Sequence, residues 1–189
     1  MFQNIPTGKH KTFILNEGCI NMENVNQLII PAARKGEIEV LAELIRRNAD
    51  LNFKDEKGYT PLIIACYNNQ YQSANLLIKA GADLNLADQG GNTALMGVAF
   101  KGYFELAKLL IESGANLDLQ HGNGGTALMF AAMFGRNNVL TLLLESGADT
   151  QILDHRGQSA IDFAALQGNE PGIKLLETHQ RATNLSKAP

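Results

Sequence analysis

Residues 58–85 read GYTPLIIACYNNQYQSANLLIKAGADLN and contain two short helical patterns joined by a polar turn. The first pattern opens with Thr60, whose hydroxyl can accept a hydrogen bond from a free backbone N–H at a helix start. Pro61 follows at the first helical position, where proline loses no hydrogen bond. The second pattern carries the bulky run Leu76-Leu77-Ile78 and closes at Gly81, since glycine suits the left-handed residue that ends a helix. This stretch predicts a helical hairpin whose first helix is rich in small residues.

The same pattern returns every 33 residues along the chain. Three sets of residues keep this period: the helix-opening Thr60, Thr93, Thr126 and Ser159, the turn glycines Gly58, Gly91, Gly124 and Gly157, and the closing glycines Gly81, Gly114 and Gly147. A divergent unit precedes them, in which Ala32-Ala33 matches Ala131-Ala132 and Asn48 replaces the closing glycine. A fixed period of this length is typical of a repeat architecture in which stacked units share one core. We predict five units, at about 22–54, 55–87, 88–120, 121–153 and 154–181.

The segments Gly58–Leu62 and Ala80–Asn85 resemble the two signature stretches of the ankyrin repeat. The resemblance extends over about residues 22–181. It implies an all-α solenoid of five helix-turn-helix units, connected by β-turn or hairpin loops. Repeats of this kind present a concave surface formed by the turn tips and the first helices.

The sequence departs from the family pattern at one position of each repeat and at the two ends of the chain. Family members often carry a histidine after Thr-Pro-Leu that ties neighbouring turns together, and this chain has other residues there: Ile63, Met96, Met129 and Asp162. We therefore expect looser coupling between turns, compensated by apolar packing of the two methionines. Gln180 stands where the last closing glycine would fall, which fits a C-terminal cap. Residues 1–21 fit no repeat and are interpreted as an N-terminal extension or cap, and 182–189 as a flexible tail.

Composition limits the classes of function. Of the 189 residues, 45% are hydrophobic and 19% charged, and the net charge of -3 gives no general field that attracts nucleic acid. No stretch is long and apolar enough to be a signal peptide or to span a bilayer. Cys19 and Cys66 form neither a disulfide framework nor a zinc site, and Cys66 falls where sibling repeats have alanine. We expect a cytoplasmic protein that binds neither nucleic acid nor membrane.

Two histidines, His121 and His155, lie in repeat turns beside aspartates, and a histidine–aspartate pair can serve as a general base. However, Asp154, the neighbour of His155, has counterparts in Asp55 and Asp88. Aspartate at a fixed place in a turn usually binds local backbone N–H groups. The sequence therefore favours a turn role over a catalytic one.

The glycine-rich residues 121–125 match neither of the glycine patterns that bind phosphate, and no strand–helix unit surrounds them. The spacing of cysteine and histidine residues does not suit a metal ion. We predict a protein that is not an enzyme and that has no cofactor and no bound metal.

A candidate binding surface follows from the residues that come directly after the small core pair of each first helix. These residues and their next neighbours are Arg34, Tyr67, Phe100, Met133 and Leu166, followed by Lys35, Asn68, Lys101, Phe134 and Gln167. Together with the turn tips, they give the predicted partner-binding set Tyr59, Tyr67, Asn92, Phe100, Lys101, Met133, Phe134, His155, Arg156 and Leu166. Apolar anchors rimmed by polar groups are typical of protein interfaces. The rings could instead lie flat against neighbouring first helices and serve only the stack.

We therefore predict a monomeric protein-binding module that acts as an inhibitor, regulator or scaffold through its concave surface. Three alternatives stay open: the regulatory subunit of an enzyme complex, an enzyme in its own right, and a receptor for a small ligand or lipid. The identity of the partner protein does not follow from the sequence.

Overall fold

The computed structural model describes residues 22–186, which form ten helices arranged as five consecutive pairs. The first helices of the pairs are α1 (Met22–Lys35), α3 (Pro61–Tyr67), α5 (Ala94–Lys101), α7 (Ala127–Met133) and α9 (Ala160–Leu166). The second helices are α2 (Ile38–Arg46), α4 (Tyr71–Lys79), α6 (Phe104–Glu112), α8 (Asn137–Glu145) and α10 (Glu170–Ser186). Within the described residues there is no strand, only one isolated antiparallel bridge between Ala87 and Thr93. The predicted all-α repeat solenoid is confirmed; the first four predicted ranges each hold one pair of helices, and in the last unit α10 extends beyond the predicted end at 181.

Hydroxyl residues begin the first helices as predicted. The Oγ1 atoms of Thr60, Thr93 and Thr126 accept the backbone N–H three residues later, at 3.2, 3.3 and 3.4 Å. Ser159 begins α9 in another way, because its N–H and its hydroxyl both donate to the carboxylate of Asp162, at 2.8 and 2.6 Å. These hydrogen bonds hold the pKa of Asp162 below its usual range. The departure from the family pattern at Asp162 thus supplies a helix cap.

The first helices pack in chain order, α1 on α3, α3 on α5, α5 on α7 and α7 on α9, and the second helices form a layer behind them. Small residues such as Ala65, Cys66 and Ala99 are fully buried in the first layer, which lets these helices approach closely. In the second layer, fully buried leucines repeat with the period of 33 at Leu77, Leu110, Leu143 and Leu176. Burial also raises the pKa of the Cys66 thiol to about 12, so Cys66 is a core residue as predicted.

The helix ends explain where the last pair differs. Gly81, Gly114 and Gly147 have φ of 96°, 91° and 89°, so they occupy the left-handed region as expected. Gln180 stands in their place in the last unit, and α10 continues to Ser186. The helix therefore covers much of the range 182–189, where we predicted a flexible tail. The predicted N-terminal extension or cap, at 1–21, lies outside the described residues.

Neighbouring turns are joined by direct hydrogen bonds at two places. At the tips, a backbone N–H of each turn donates to a carbonyl of the preceding one: Gln89 to Lys57 at 3.1 Å, Gly122 to Gly90 at 2.9 Å and His155 to Asn123 at 3.0 Å. At the base, side-chain oxygens of Asn52, Asn85 and Asp118 accept from backbone N–H groups 31 residues later, at 2.8–3.0 Å. Met96 and Met129 are buried as expected. These bonds connect the turns without the family's histidine, and the expected looser coupling stays a prediction.

Candidate protein-binding surface

The turn tips on the concave side are held by aspartates whose acceptor atoms are already engaged. In each of three turns one aspartate Oδ1 accepts the N–H groups two and four residues later, at 2.8–2.9 Å; these aspartates are Asp55, Asp88 and Asp154. The hydrogen bond from the Gln158 N–H is the main reason that the pKa of Asp154 lies below its usual range. These carboxylates therefore stabilise the turns, as the sequence indicated.

His121 occupies the equivalent position in the fourth unit. Its Nδ1 accepts the Gly125 N–H at 2.9 Å, and its ring meets Phe130 edge-on, with 5.1 Å between ring centroids. In this arrangement Nδ1 is engaged within its own turn. His155 is exposed, and its backbone N–H makes the tip hydrogen bond to Asn123. The structure thus gives His121 a structural role in its turn.

We expect His121→Ala to lower the free energy of unfolding by about 1–2 kcal/mol, because Gly125 is buried and its N–H would lose its acceptor. The matched control is His155→Ala, which removes an exposed ring and should change stability by less than about 0.5 kcal/mol. Urea unfolding followed by circular dichroism measures both values. Equal effects of the two substitutions would show that the hydrogen bond to Gly125 contributes nothing.

Aromatic side chains form a continuous series of contacts across the second, third and fourth units. Lys101 Nζ lies 4.3 Å from the centroid of the Tyr67 ring and 5.4 Å from that of Phe100. Phe100 meets Phe134 edge-on, with 4.5 Å between ring centroids, and Phe134 stacks on Phe130, with 6.5 Å between ring centroids. We call these five residues the aromatic cluster. Each contact joins residues of neighbouring units, residues of one helix, or a helix residue and the C-cap of that helix. The cluster is therefore one connected surface.

Parts of this surface remain open to solvent. Tyr67 is 46% exposed and Phe134 38%, whereas Phe100 and Met133 are partly buried. Leu166, one unit further on, is 64% exposed. Rings that served the stack alone would be covered by it. Exposed apolar residues grouped in one place are typical of interaction sites.

Three cavities are lined by residues of the first helices and the turns, and two of them contain most of the predicted site; the third, beside α1, contains only Tyr59 of that set. The first, of about 450 Å³, is lined by four of the predicted residues, Tyr59, Tyr67, Asn92 and Phe100. The second, of about 220 Å³, is lined by three more, Met133, Phe134 and Arg156. Of the remaining three, Lys101 covers Tyr67, whereas His155 and Leu166 are exposed outside both linings.

Sequence reasoning missed two positions that the structure brings into this surface, Phe130 and Gly97. Phe130 belongs to the aromatic cluster and lines both of these cavities, and Gly97 lines the larger of the two. The signal was present in the repeat register, because these two residues are 33 apart. The predicted partner-binding set instead contains the residues one helical turn later, Phe100 and Met133.

Among residues 22–186, no three histidine, cysteine, aspartate or glutamate side chains are grouped so that they could bind a metal ion. Within the same part of the chain, no helix has the length and apolar character needed to cross a membrane.

Comparison with known proteins identifies the architecture. The family model for ankyrin repeats in three copies matches residues 28–121 and 95–186, which together span most of the chain. A search of curated proteins gave no match. Ankyrin repeats generally mediate protein–protein interactions, and the family is typically non-enzymatic. The register of the caps, the closing glycines and the paired helices agrees with this match, and the chain belongs to the ankyrin-repeat family.

Proposed function

We propose that this chain is a non-enzymatic protein-binding module, which holds a partner protein on its concave surface and acts as an inhibitor, regulator or scaffold. The aromatic cluster carries the proposal, because it joins rings from three consecutive units into one connected surface, on which Tyr67 and Phe134 are exposed and Phe100 is partly buried. Ring-rich, partly desolvated patches supply most of the binding free energy in protein complexes. The protein acts as a monomer in this proposal.

The polar surroundings of the cluster support the same function. Arg156 and Asn92 lie at turn tips beside the two cavities of the predicted site, and Arg34 lies at the end of the larger of them. An apolar centre with a polar rim is the usual anatomy of an interface. One oxygen of each tip aspartate is bound to its own turn, so amides, cations and the exposed Glu56 carboxylate are the polar groups of the tips that can meet a partner.

We expect the double substitution Phe100→Glu and Phe134→Glu to abolish retention of the partner protein. Two carboxylates would replace two rings whose centroids lie 4.5 Å apart. A partner would then have to bury two like charges where it had contacted apolar rings, which is unfavourable. The measurement is a pull-down from a native lysate, in which the tagged wild type and variant are compared at equal concentration. We expect at least a tenfold loss of the retained protein, in line with a loss of about 1.4 kcal/mol or more.

The control is Tyr71→Glu with Leu153→Glu, which adds the same charge at two exposed apolar residues outside the cluster. Circular dichroism must show that both variants keep the wild-type helix content. If the cluster variant and the control retain the partner equally, the concave aromatic surface is not the binding site.

A further inference from the structure

One first helix of the stack lacks a side chain that its neighbours have. At the same register α3 has Ile64, α7 has Phe130 and α9 has Phe163, whereas α5 has Gly97. The backbone does not require glycine here, because Gly97 has no positive φ and an added Cβ would meet only Tyr67 Cδ2, at 3.7 Å. Glycine inside a helix is also less stable than alanine. The missing side chain therefore leaves open space on the concave surface.

This space is the larger of the two cavities that contain most of the predicted site, and we call it the Gly97 pocket. Ile64 and Phe130, the equivalent residues of the neighbouring helices, both line it, together with Met96 of α5. Its volume is about 450 Å³. A cavity of about 150 Å³ is large enough to hold benzene. The Gly97 pocket can thus accept the largest apolar side chains.

The charge available at the pocket is positive, although the chain as a whole carries -3. Arg34 lines the pocket, and Lys101 covers Tyr67 at its edge. Neither cation has an ion pair within residues 22–186. The carboxylate that lines the pocket, Asp88, accepts from the N–H groups of Gly90 and Asn92 and from the Asn92 amide. An incoming carboxylate would therefore meet two cations without ion pairs, and these outnumber the single carboxylate of the lining, Asp88, which is hydrogen-bonded to its own turn.

We propose that the Gly97 pocket takes one bulky apolar side chain from an acidic segment of the partner protein, with Arg34 and Lys101 binding the flanking carboxylates. This inference rests on the proposed protein-binding function and adds the chemistry of the bound segment. The apolar side chain inserted into the pocket supplies most of the binding free energy. The two cations favour segments that have carboxylates on either side of that side chain.

The test uses a displayed library of random twelve-residue peptides, selected on the full-length wild-type protein. Enriched peptides are expected to contain phenylalanine, tryptophan or leucine beside aspartate or glutamate. Their synthetic forms should bind Gly97→Ile and Lys101→Glu at least tenfold more weakly than the wild type. Lys79→Glu is the matched control, since it makes the same charge change at the last residue of α4, where Lys79, like Lys101 at the end of α5, has no ion pair within residues 22–186, and it should bind the peptides as the wild type does.

Gly97→Ile gives α5 the same residue that α3 has at this register, Ile64. Isoleucine forms helices better than glycine, so we expect the variant to fold. Gly97→Ala is a second variant, which adds a single methyl and should raise the melting temperature while it weakens peptide binding less. Equal binding of the peptides to wild type and Gly97→Ile would overturn the proposal. So would a selection that enriches no peptides, or one that enriches basic peptides such as the chain's own Lys11–Leu15. Dimerisation in sedimentation runs that Gly97→Ile abolishes would assign the pocket to a second copy of this chain instead.

The lysate experiment separates this inference from the proposed function. If Gly97→Ile keeps the native partner while Phe100→Glu with Phe134→Glu loses it, the concave surface binds the partner and the pocket does not. If all variants keep the partner, both the pocket and the aromatic cluster are ruled out as the binding site, and the concave placement in the proposed function fails.

Discussion

Gly124→Ala is expected to lower the free energy of unfolding by about 3 kcal/mol, since the residue is both left-handed and crowded. Its φ is 87°, a conformation that alanine adopts only at a cost. A Cβ would also lie 2.8 Å from the backbone N of His155 and 3.0 Å from Asp154 Cα. These are backbone atoms of the next turn, so the contact can be relieved only if that turn moves. Such a movement would break the tip hydrogen bond from His155 to Asn123.

Gly157→Ala provides the matched control at the same place in the last turn. Its φ of 77° is similar, but a Cβ there would have no neighbour within 4 Å. We expect a cost of about 1 kcal/mol from conformation alone. Guanidinium unfolding of the two variants gives the difference that is due to contact between turns. Equal costs would mean that the turn tips do not hold one another.

Leu110→Ala is expected to lower the free energy of unfolding by about 3–4 kcal/mol, the range for a large cavity in a packed core. Leu110 is fully buried in α6, which packs between α4 and α8. The equivalent leucines of those helices are Leu77 and Leu143, so the substitution removes the middle member of a buried row. Neighbouring helices held at fixed spacing by their turns cannot easily collapse into the gap.

The comparison for this experiment is Leu109→Ala, the adjacent residue, which is only partly buried. We expect it to cost about half as much or less, because part of its surface is in water already. Thermal melting of both variants at one protein concentration measures the difference. A Leu110→Ala protein as stable as Leu109→Ala would contradict the assignment of Leu110 to the core.

Features that depend on local chemistry could be predicted from the sequence. Thr126 caps a helix because its hydroxyl reaches an N–H three residues away, and Gly81 ends one because of its own backbone freedom. Asp154 binds N–H groups two and four residues later in the chain. Because the sequence repeats every 33 residues, the same caps and turns could be predicted in each unit. The architecture therefore followed from a small number of residues.

Features that depend on contacts between units could not be predicted in the same way. The tip bond from Gly122 to Gly90 involves backbone atoms, whose partners leave no trace in the sequence. The histidine of the family pattern is a visible signal in the sequence, whereas the backbone hydrogen bonds that join the turns here are not. The Gly97 pocket was not predicted for a different reason. It forms where a side chain is absent, whereas the predicted site consisted of side chains that are present.

The order in which the helices pack also determines how the molecule opens. Each first helix packs against the first helices before and after it, so within residues 22–186 an end unit has only one such neighbour. Thermal fluctuations should therefore unfold the outermost pairs first, and local opening of α9 and α10 leaves the contacts among α3, α5 and α7 in place. Tyr67, Phe100 and Phe134 lie in this interior part of the stack. A partner bound there would tie three units into one cooperative block, so occupancy would slow the opening of the middle more than that of the ends.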